Sequence, residues 1–106
     1  MNILSSIQLT MHETEIEENI KIHEFVIVLF FANSCKYCKE VELKLVSNFP
    51  EIKIIKIDVG KNKDIALKYS VEFLPTILVF RKERIISHIV GNQDCINYLK
   101  EIFFKE

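Results

Sequence analysis

A continuous apolar run, Phe25–Ala32, is followed by two cysteines, Cys35 three residues and Cys38 six residues after Ala32. A run of this length, rich in Val and Phe, is typical of a strand that is buried on both faces of a sheet. Two cysteines at this spacing lie one helical turn apart on the same face, so their sulfur atoms can bond without distorting the backbone. The feature therefore predicts a redox dithiol where a buried strand meets a helix.

The position of the two cysteines in this helix predicts different roles for them. With Asn33 or Ser34 as the N-cap, Cys35 lies in the first turn, where unpaired N–H groups and the helix macrodipole favour a thiolate. Lys36 adds a positive charge that stabilises the thiolate further. Cys38 lies one turn deeper, and we expect it to be more shielded from solvent.

Two cysteines with this spacing are also half of a zinc site. Tetrahedral zinc needs two further ligands, and Cys95, His12, His23 and His88 form no second pair at ligand spacing. We therefore expect no metal in one chain and no cofactor, whereas a metal or iron–sulfur cluster shared between two chains is an open alternative. We expect Cys95 to be a partly buried small residue; the alternative is a thiol that is glutathionylated or forms dimers.

Composition limits the size of the fold and the classes of partner. The chain has 106 residues, of which 49% are hydrophobic and 27% charged, and this predicts a single domain, 1–106, with one core. The net charge of −1, with both signs mixed along the chain, predicts neither nucleic acid nor a membrane as a partner. The N-terminal residues show no secretory signal, so we expect a cytoplasmic monomer.

Hydrophobic periodicity predicts alternating strands and helices in the order βαβαβαββα. Parallel units come first and a hairpin follows, which predicts a mixed central sheet with helices on both faces. The predicted elements are a strand at 3–9, a helix from the capping box Thr10–Glu13 to about residue 21, a strand at Phe25–Ala32, a helix at Cys35–Ser47 ended by Pro50, a strand at Ile52–Val59, a helix at Asn62–Tyr69, strands at Thr76–Phe80 and Ile85–Val90, and a helix capped by Asn92.

The chain resembles the thioredoxin family over nearly its whole length. The residues that carry the resemblance occur in the family's order, and they are Phe31-Ala32 before the dithiol, Lys56-Ile57-Asp58-Val59, Ala66-Leu67-Lys68-Tyr69, Leu74-Pro75-Thr76 and Gly91. The resemblance implies an α/β thioredoxin fold, with about five strands flanked by about four helices.

The resemblance also implies a thiol–disulfide oxidoreductase that acts on disulfides of protein substrates. Cys35 would be the nucleophile and Cys38 the resolving cysteine of a cycle between dithiol and disulfide. Thioredoxin reductase would restore the dithiol, and glutathione is the alternative reductant.

Pro75 matches a family proline whose peptide bond is cis and which lies against the active-site disulfide. The resemblance implies a cis bond for Leu74-Pro75, although the sequence by itself also fits a trans proline at a strand start. A cis proline would expose the backbone of Leu74 to an extended substrate, and Gly91 would leave that substrate room. The other expected substrate-binding residues are Ser34, Tyr37, Phe73 and Val90.

Five residues depart from the family pattern. Ser34 replaces the usual Trp, Lys36-Tyr37 replace Gly-Pro, Leu43 replaces a Pro, and Leu29 replaces a buried Asp. Because that Asp assists proton transfer at the second cysteine, Leu29 argues against the usual proton route. Lys56 matches the family's lysine near the Asp, and we expect it to lack this partner; a solvated lysine at a strand end is an equally good interpretation.

Two alternative functions follow from these departures. Tyr37 and Gly91-Asn92-Gln93-Asp94 resemble parts of the glutaredoxin site, which would make the protein glutathione-linked, with Asp94 and Lys36 as contacts. A carboxylate near a helix cap is the simpler explanation of Asp94. The other alternative is a thioredoxin-like interaction module that binds a partner protein without catalysis.

Overall fold

The computed structural model describes residues 14–91 and 94–104. The predicted strand at 3–9, the capping box at 10–13 and the predicted cap Asn92 lie outside the described residues. Among the described residues, no helix combines the length and the apolar character needed to cross a bilayer. The account of the fold below concerns these two ranges.

Helices and strands alternate in the predicted order. The described part of the first helix, α1, covers residues 14–22. The elements after it are β1 (Phe25–Phe31), α2 (Lys36–Asn48), β2 (Lys53–Asp58), α3 (Lys63–Lys68), β3 (Thr76–Arg81), β4 (Arg84–Val90) and α4 (Cys95–Phe104). The predicted bounds of the elements from β1 to β4 differ from these by single residues, as is usual for element ends.

The four described strands form one mixed sheet in the order β2-β1-β3-β4. β1 runs parallel to β2 and antiparallel to β3, and β4 is antiparallel to β3. In this register Phe30 lies opposite Thr76, and Thr76 lies opposite Val90. The predicted thioredoxin fold and its mixed sheet are confirmed. The count of about five strands included the segment 3–9, so the described residues show four.

The side chains of β1 alternate between two hydrophobic cores, one on each face of the sheet. Ile27 and Leu29 belong to the core that includes Val41 and Leu45 of α2 and Leu99 of α4. The second core contains Val26, Val28 and Phe30 of β1, Ile16 of α1 and Ile65 of α3. The predicted covering of both faces by helices is therefore confirmed, and α2 is held on the first face by buried apolar contacts.

The helix α2 ends where its last apolar residue reaches the core. Phe49 is the C-cap, its side chain is 1% exposed, and its backbone N–H donates to the carbonyl oxygen of Leu45 at 2.9 Å. Pro50 follows and has no N–H with which to continue the helix. Burial of Phe49 and the stop at Pro50 fix where α2 ends. With its C-terminal end anchored in the core, α2 places its N-terminus at the end of β1.

A two-residue turn, Lys82 and Glu83, joins β3 to β4. Both residues have positive φ, 49° and 72°, which is the backbone that a tight hairpin of right-handed twist requires. The backbone N–H of Lys82 donates to the carbonyl oxygen of Glu24 at 3.0 Å. This turn sets the pairing that places the start of β3 beside the end of β4.

Replacing Glu83 with Gly is expected to raise the free energy of unfolding by about 0.5–1 kcal/mol, because glycine adopts positive φ without steric cost. Glu72→Gly is the matched control, since Glu72 is also exposed and its φ is not positive. That change is expected to destabilise the protein by a similar amount. Urea unfolding measures the change in the free energy of unfolding for both variants. A loss of stability in Glu83→Gly would contradict the expected gain from positive φ at this position.

Candidate active site

Cys35 and Cys38 are joined by a disulfide at the N-terminus of α2, with their Cα atoms 5.3 Å apart. Cys35 is the N-cap, with φ −91° and ψ 101°, and its Sγ accepts a hydrogen bond from the backbone N–H of Cys38 at 3.2 Å. The prediction that Asn33 or Ser34 caps the helix was therefore wrong. The sulfur of Cys35 takes the place that the side-chain oxygen of Ser or Asp takes in most N-caps.

The cap position keeps the sulfur of Cys35 close to the unpaired N–H groups of the first helical turn. These groups carry the positive end of the helix macrodipole, which favours a thiolate over a thiol. Lys36 is the first residue of α2 and is exposed, so its ammonium group adds positive charge at the same helix end. The preferred thiolate at Cys35 stays a prediction, with the helix start moved by one residue.

The two cysteines differ in their exposure to solvent. Cys38 is 2% exposed, whereas Cys35 is partly exposed. The predicted shielding of Cys38 is confirmed. A substrate disulfide in solution can therefore reach the sulfur of Cys35 first, and Cys38 is placed to react only with its neighbour.

Pro75 and Gly91 are in direct contact beside the paired ends of β3 and β4. The Leu74–Pro75 peptide bond is cis. The backbone N–H of Gly91 donates to the carbonyl oxygen of Pro75 at 2.7 Å, and a Cβ at Gly91 would overlap the Pro75 ring. We expected Gly91 to leave room for substrate. This expectation was wrong, because the ring of Pro75 occupies the space.

Exposed apolar side chains border this end of the sheet. Phe73 is 63% exposed and Val90 is 42% exposed, and Leu74 between Phe73 and Pro75 is partly buried. Ser34 is exposed beside Cys35. The hydroxyl of Thr76 donates to the carbonyl oxygen of Phe73, which ties the segment before Pro75 to the start of β3. The arrangement offers an open apolar surface rather than a closed pocket.

Tyr37 lies on the α4 side of α2, where its ring packs against the first core. Partial burial raises the pKa of the Tyr37 phenol above its ordinary value. The nearby thiol of Cys95 and the carboxylates of Glu40 and Asp94 raise this pKa further. The phenol is therefore neutral at physiological pH, and it can offer a substrate a hydrogen bond but no charge.

Lys56 has a partner that we did not predict. Its Nζ lies 2.8 Å from Oε2 of Glu42, a residue of α2. Leu29, which replaces the family's buried Asp, is fully buried and lies opposite Lys56 in the register of β1 and β2. Lys56 therefore lacks the family's Asp partner, as expected, and pairs instead with a carboxylate of α2. The sequence did contain a signal that Glu42 lies near the dithiol. Glu42 follows Cys38 by four residues, and this spacing places both on one side of a helix.

Cys95 is 2% exposed at the start of α4, so it is more deeply buried than the partly buried small residue that we predicted. A cleft of about 450 Å³ lies next to it, between β4 and α4. The residues that line the cleft are His88, Ile89, Val90, Asp94, Cys95 and Tyr98. His88 and Tyr98 line this cleft together with Val90, and we did not predict a role for Tyr98.

The described residues contain no cluster of three or more His, Cys, Asp or Glu side chains that could hold a metal ion. The dithiol supplies two sulfur ligands, and tetrahedral zinc needs four ligands.

Comparison with known proteins gives a consistent result. The thioredoxin family model matches residues 7–102. Thioredoxin-2 of Pyricularia oryzae is 34% identical over 80 residues, which are 73% of this chain and 47% of that protein. A protein disulfide-isomerase of Triticum aestivum is 37% identical over 82 residues, which are 69% of this chain and 16% of that protein.

A mutant thioredoxin from Halobacterium salinarum NRC-1 is a similar solved structure, with a TM-score of 0.76 and 27% identity. The match covers 84% of this chain and 80% of that one. The chain spans about half the length, 47%, of its Pyricularia relative and a much smaller part of the isomerase. Because the family model covers most of the chain and the described fold agrees with it, this chain belongs to the thioredoxin family.

Proposed function

We propose that this chain is a thiol–disulfide oxidoreductase that reduces disulfides of protein substrates. The observation that carries the proposal is the asymmetry of the dithiol. Cys35 is partly exposed at the N-cap of α2, and Cys38 is buried with its Cα 5.3 Å from that of Cys35. One sulfur can attack a substrate, and the other can only resolve the product. The proposal assigns this activity to the single domain predicted at residues 1–106.

The cycle begins with the reduced protein. The Cys35 thiolate attacks one sulfur of the substrate disulfide, the substrate S–S bond breaks, and the other substrate sulfur leaves as a thiolate. Cys38 then loses its proton and attacks the sulfur of Cys35. The bond between Cys35 and the substrate breaks, the second substrate thiolate leaves, and the Cys35–Cys38 disulfide forms. The substrate has gained two electrons, and the protein has lost them.

Substrate is held in this proposal along the apolar edge described above. The exposed side chains of Phe73 and Val90 supply apolar contact. The backbone of Leu74, next to the cis bond, supplies hydrogen bonds to an extended chain. Ser34 and Tyr37 border the sulfur of Cys35. An open surface of this kind suits a peptide segment of a protein better than a small molecule.

An external reductant must return two electrons to the disulfide in each cycle. We assign this role to thioredoxin reductase, with glutathione as the alternative, and we place the protein in the cytoplasm. Reducing compartments of this kind keep such disulfides transient and catalytic. One relative is named a protein disulfide-isomerase. Its name makes oxidation or isomerisation of protein disulfides the second candidate function for this chain.

The reduction potential of the Cys35–Cys38 pair distinguishes these functions. The protein is equilibrated in defined glutathione buffers, and the fraction of dithiol is measured by thiol trapping in a Cys95→Ser variant. A value near about −270 mV is expected for a disulfide reductase. A value above about −200 mV would favour the glutaredoxin-like or the oxidising function. If the pair forms no disulfide in any of the buffers, the proposed chemistry is wrong.

A further inference from the structure

Cys38 is buried, and it must lose its proton before it can attack Cys35. Burial in apolar surroundings disfavours the thiolate. In the described structure the side chains of Val41, Leu45 and Leu29 fill the core on the same face of the sheet as Cys38, and none of them can take a proton. The proton of Cys38 therefore needs an acceptor at the edge of this core.

The elements around Cys38 supply few titratable or charged groups. On the α4 side of α2 these groups are Tyr37, Glu40, Asp94 and Cys95, and the last three each interact with the Tyr37 phenol. At the end of β2, Oδ1 of Asp58 accepts the backbone N–H of Gly60 at 2.9 Å. Lys36 and Lys39 are exposed cations on α2. The remaining charged groups near Cys38 are Glu42 and Lys56, which lie on the β2 side of α2.

Glu42 lies on the same side of α2 as Cys38. It lies one helical turn after Cys38, and Cβ atoms at this spacing are about 5–6 Å apart, a gap that a carboxylate side chain or one water spans. Its Oε2 is held 2.8 Å from Nζ of Lys56, which also lies 6.0 Å from the ring centroid of Phe31. Because Phe31 ends the strand that leads to the dithiol, the carboxylate is held at the active-site end of the sheet.

Exposure of the pair suits the transfer of protons to and from water. The side chain of Glu42 is 32% exposed and that of Lys56 is 49% exposed. Glu42 therefore connects the edge of the core to solvent. An ion pair this exposed contributes about 0–1 kcal/mol to stability, so stability alone gives little reason for its presence.

We propose that Glu42, held in place by Lys56, accepts the proton of Cys38 during resolution of the mixed disulfide. The inference rests on the proposed function. As the sulfur of Cys38 bonds to that of Cys35, its proton passes to the Glu42 carboxylate, and the substrate thiolate leaves with the electrons of the broken bond. Glu42 then releases the proton to solvent. When the disulfide is reduced again, Glu42 returns a proton to Cys38.

Replacing Glu42 with Gln separates proton transfer from a simple charge effect, because the two predict opposite changes in the rate of resolution. If Glu42 only repels the Cys38 thiolate, its removal favours the thiolate and accelerates resolution. If Glu42 accepts the proton, its removal slows resolution by about tenfold or more near neutral pH. The rate in Glu42→Gln is then expected to rise about tenfold per pH unit, as hydroxide replaces the lost base, and the wild-type rate is expected to be flatter.

The reagent 5,5′-dithiobis(2-nitrobenzoate) allows each step to be followed. Its first aromatic thiolate is released when Cys35 attacks, and its second is released when Cys38 resolves the mixed disulfide. Stopped-flow absorbance over roughly two pH units around neutrality gives both rates, in a Cys95→Ala background that leaves two reactive thiols. We expect Glu42→Gln to change the first rate by less than about twofold and to slow the second.

Two further variants act as controls. Glu40→Gln removes the same charge from the same helix on the side away from Lys56, and its second rate is expected to match the wild type. Lys56→Gln is expected to slow the second step severalfold, because Glu42 loses the contact that orients it. An unchanged or faster second step in Glu42→Gln overturns the inference, and so does equal slowing by Glu40→Gln. If the wild-type protein releases no thiolate at all, the proposed function itself is wrong.

Discussion

Replacing Cys35 with Ser is expected to lower the turnover of protein disulfides by at least about 10³-fold. A serine hydroxyl at physiological pH is a very weak nucleophile toward a disulfide, and the helix N-terminus stabilises a thiolate far more effectively than it creates an alkoxide. Cys38 cannot take over the attack, because it is 2% exposed. The measurement is the reduction of insulin disulfides, with dithiothreitol as the electron source and the uncatalysed rate subtracted.

Two other cysteine variants show whether the loss is specific to the nucleophile. Cys38→Ser is expected to keep the first attack and to accumulate a mixed disulfide between Cys35 and the substrate, which intact mass spectrometry detects as an added mass. Cys95→Ala is expected to keep turnover within about twofold of the wild type, since Cys95 is buried in the core. Turnover that survives Cys35→Ser would refute the proposed mechanism.

The same variant also tests the interaction-module alternative. If the wild-type protein shows no turnover and the Cys35→Ser variant captures a partner protein as well as the wild type does, the dithiol is incidental to its function. If capture depends on Cys35 and is released by reductant, the partner is a disulfide substrate. The two outcomes distinguish a binding protein from an enzyme even while the physiological substrate is unidentified.

The order of elements could be predicted because each one carries its own local signal. Phe25–Ala32 is apolar at every position and rich in Val and Phe, which is typical of a strand covered on both faces. Residues Val41 and Leu45 repeat at helical spacing, and they are the side chains that bury α2. Pro50 marks the end of that helix. Each of these patterns involves residues that are close together in the sequence. They can therefore be recognised from a single sequence without knowledge of the tertiary fold.

The N-cap of α2 could not be predicted from such signals. Asn33 and Ser34 are both common N-cap residues, whereas Cys35 is an unusual one. The structure places Cys35 at the cap, where its sulfur accepts the N–H of Cys38. Selection of the cap depends on how the chain leaves β1: the N–H of Cys35 donates to the carbonyl oxygen of Ala32 at 3.0 Å and closes a turn before the helix begins.

The partners of Lys56 and Gly91 also depend on the tertiary fold. Lys56 finds Glu42 because the register of β1 and β2 brings it under α2, and this register cannot be read from either segment alone. In the family pattern the carboxylate near this lysine lies on β1, at the place of Leu29, whereas here it comes from α2. From the sequence we expected Gly91 to leave space for a substrate, but in the fold it packs against the ring of Pro75.

Replacing Gly91 with Ala is therefore expected to damage both stability and activity. The added Cβ would overlap the ring of Pro75, so either the ring or the end of β4 must move. Glycine is not needed here for its backbone freedom, since the φ of Gly91 is not positive. We expect the free energy of unfolding to fall by about 1–3 kcal/mol, as for other overpacked sites. A displaced Pro75 also misplaces Leu74, and a shift of about 1 Å can lower turnover about 10²-fold.

Gly60→Ala is the matched control for this prediction. Its added Cβ would lie 3.2 Å from Oδ1 of Asp58, the end of a flexible side chain that can move aside. The free energy of unfolding is expected to change by less than about 1 kcal/mol, and insulin reduction is expected to stay at the wild-type rate. Urea unfolding and turnover of the two variants give the comparison. Equal stability loss at both glycines would show that the contact between Gly91 and Pro75 has no special cost. Normal turnover in Gly91→Ala would show that the position of Pro75 does not limit the reaction.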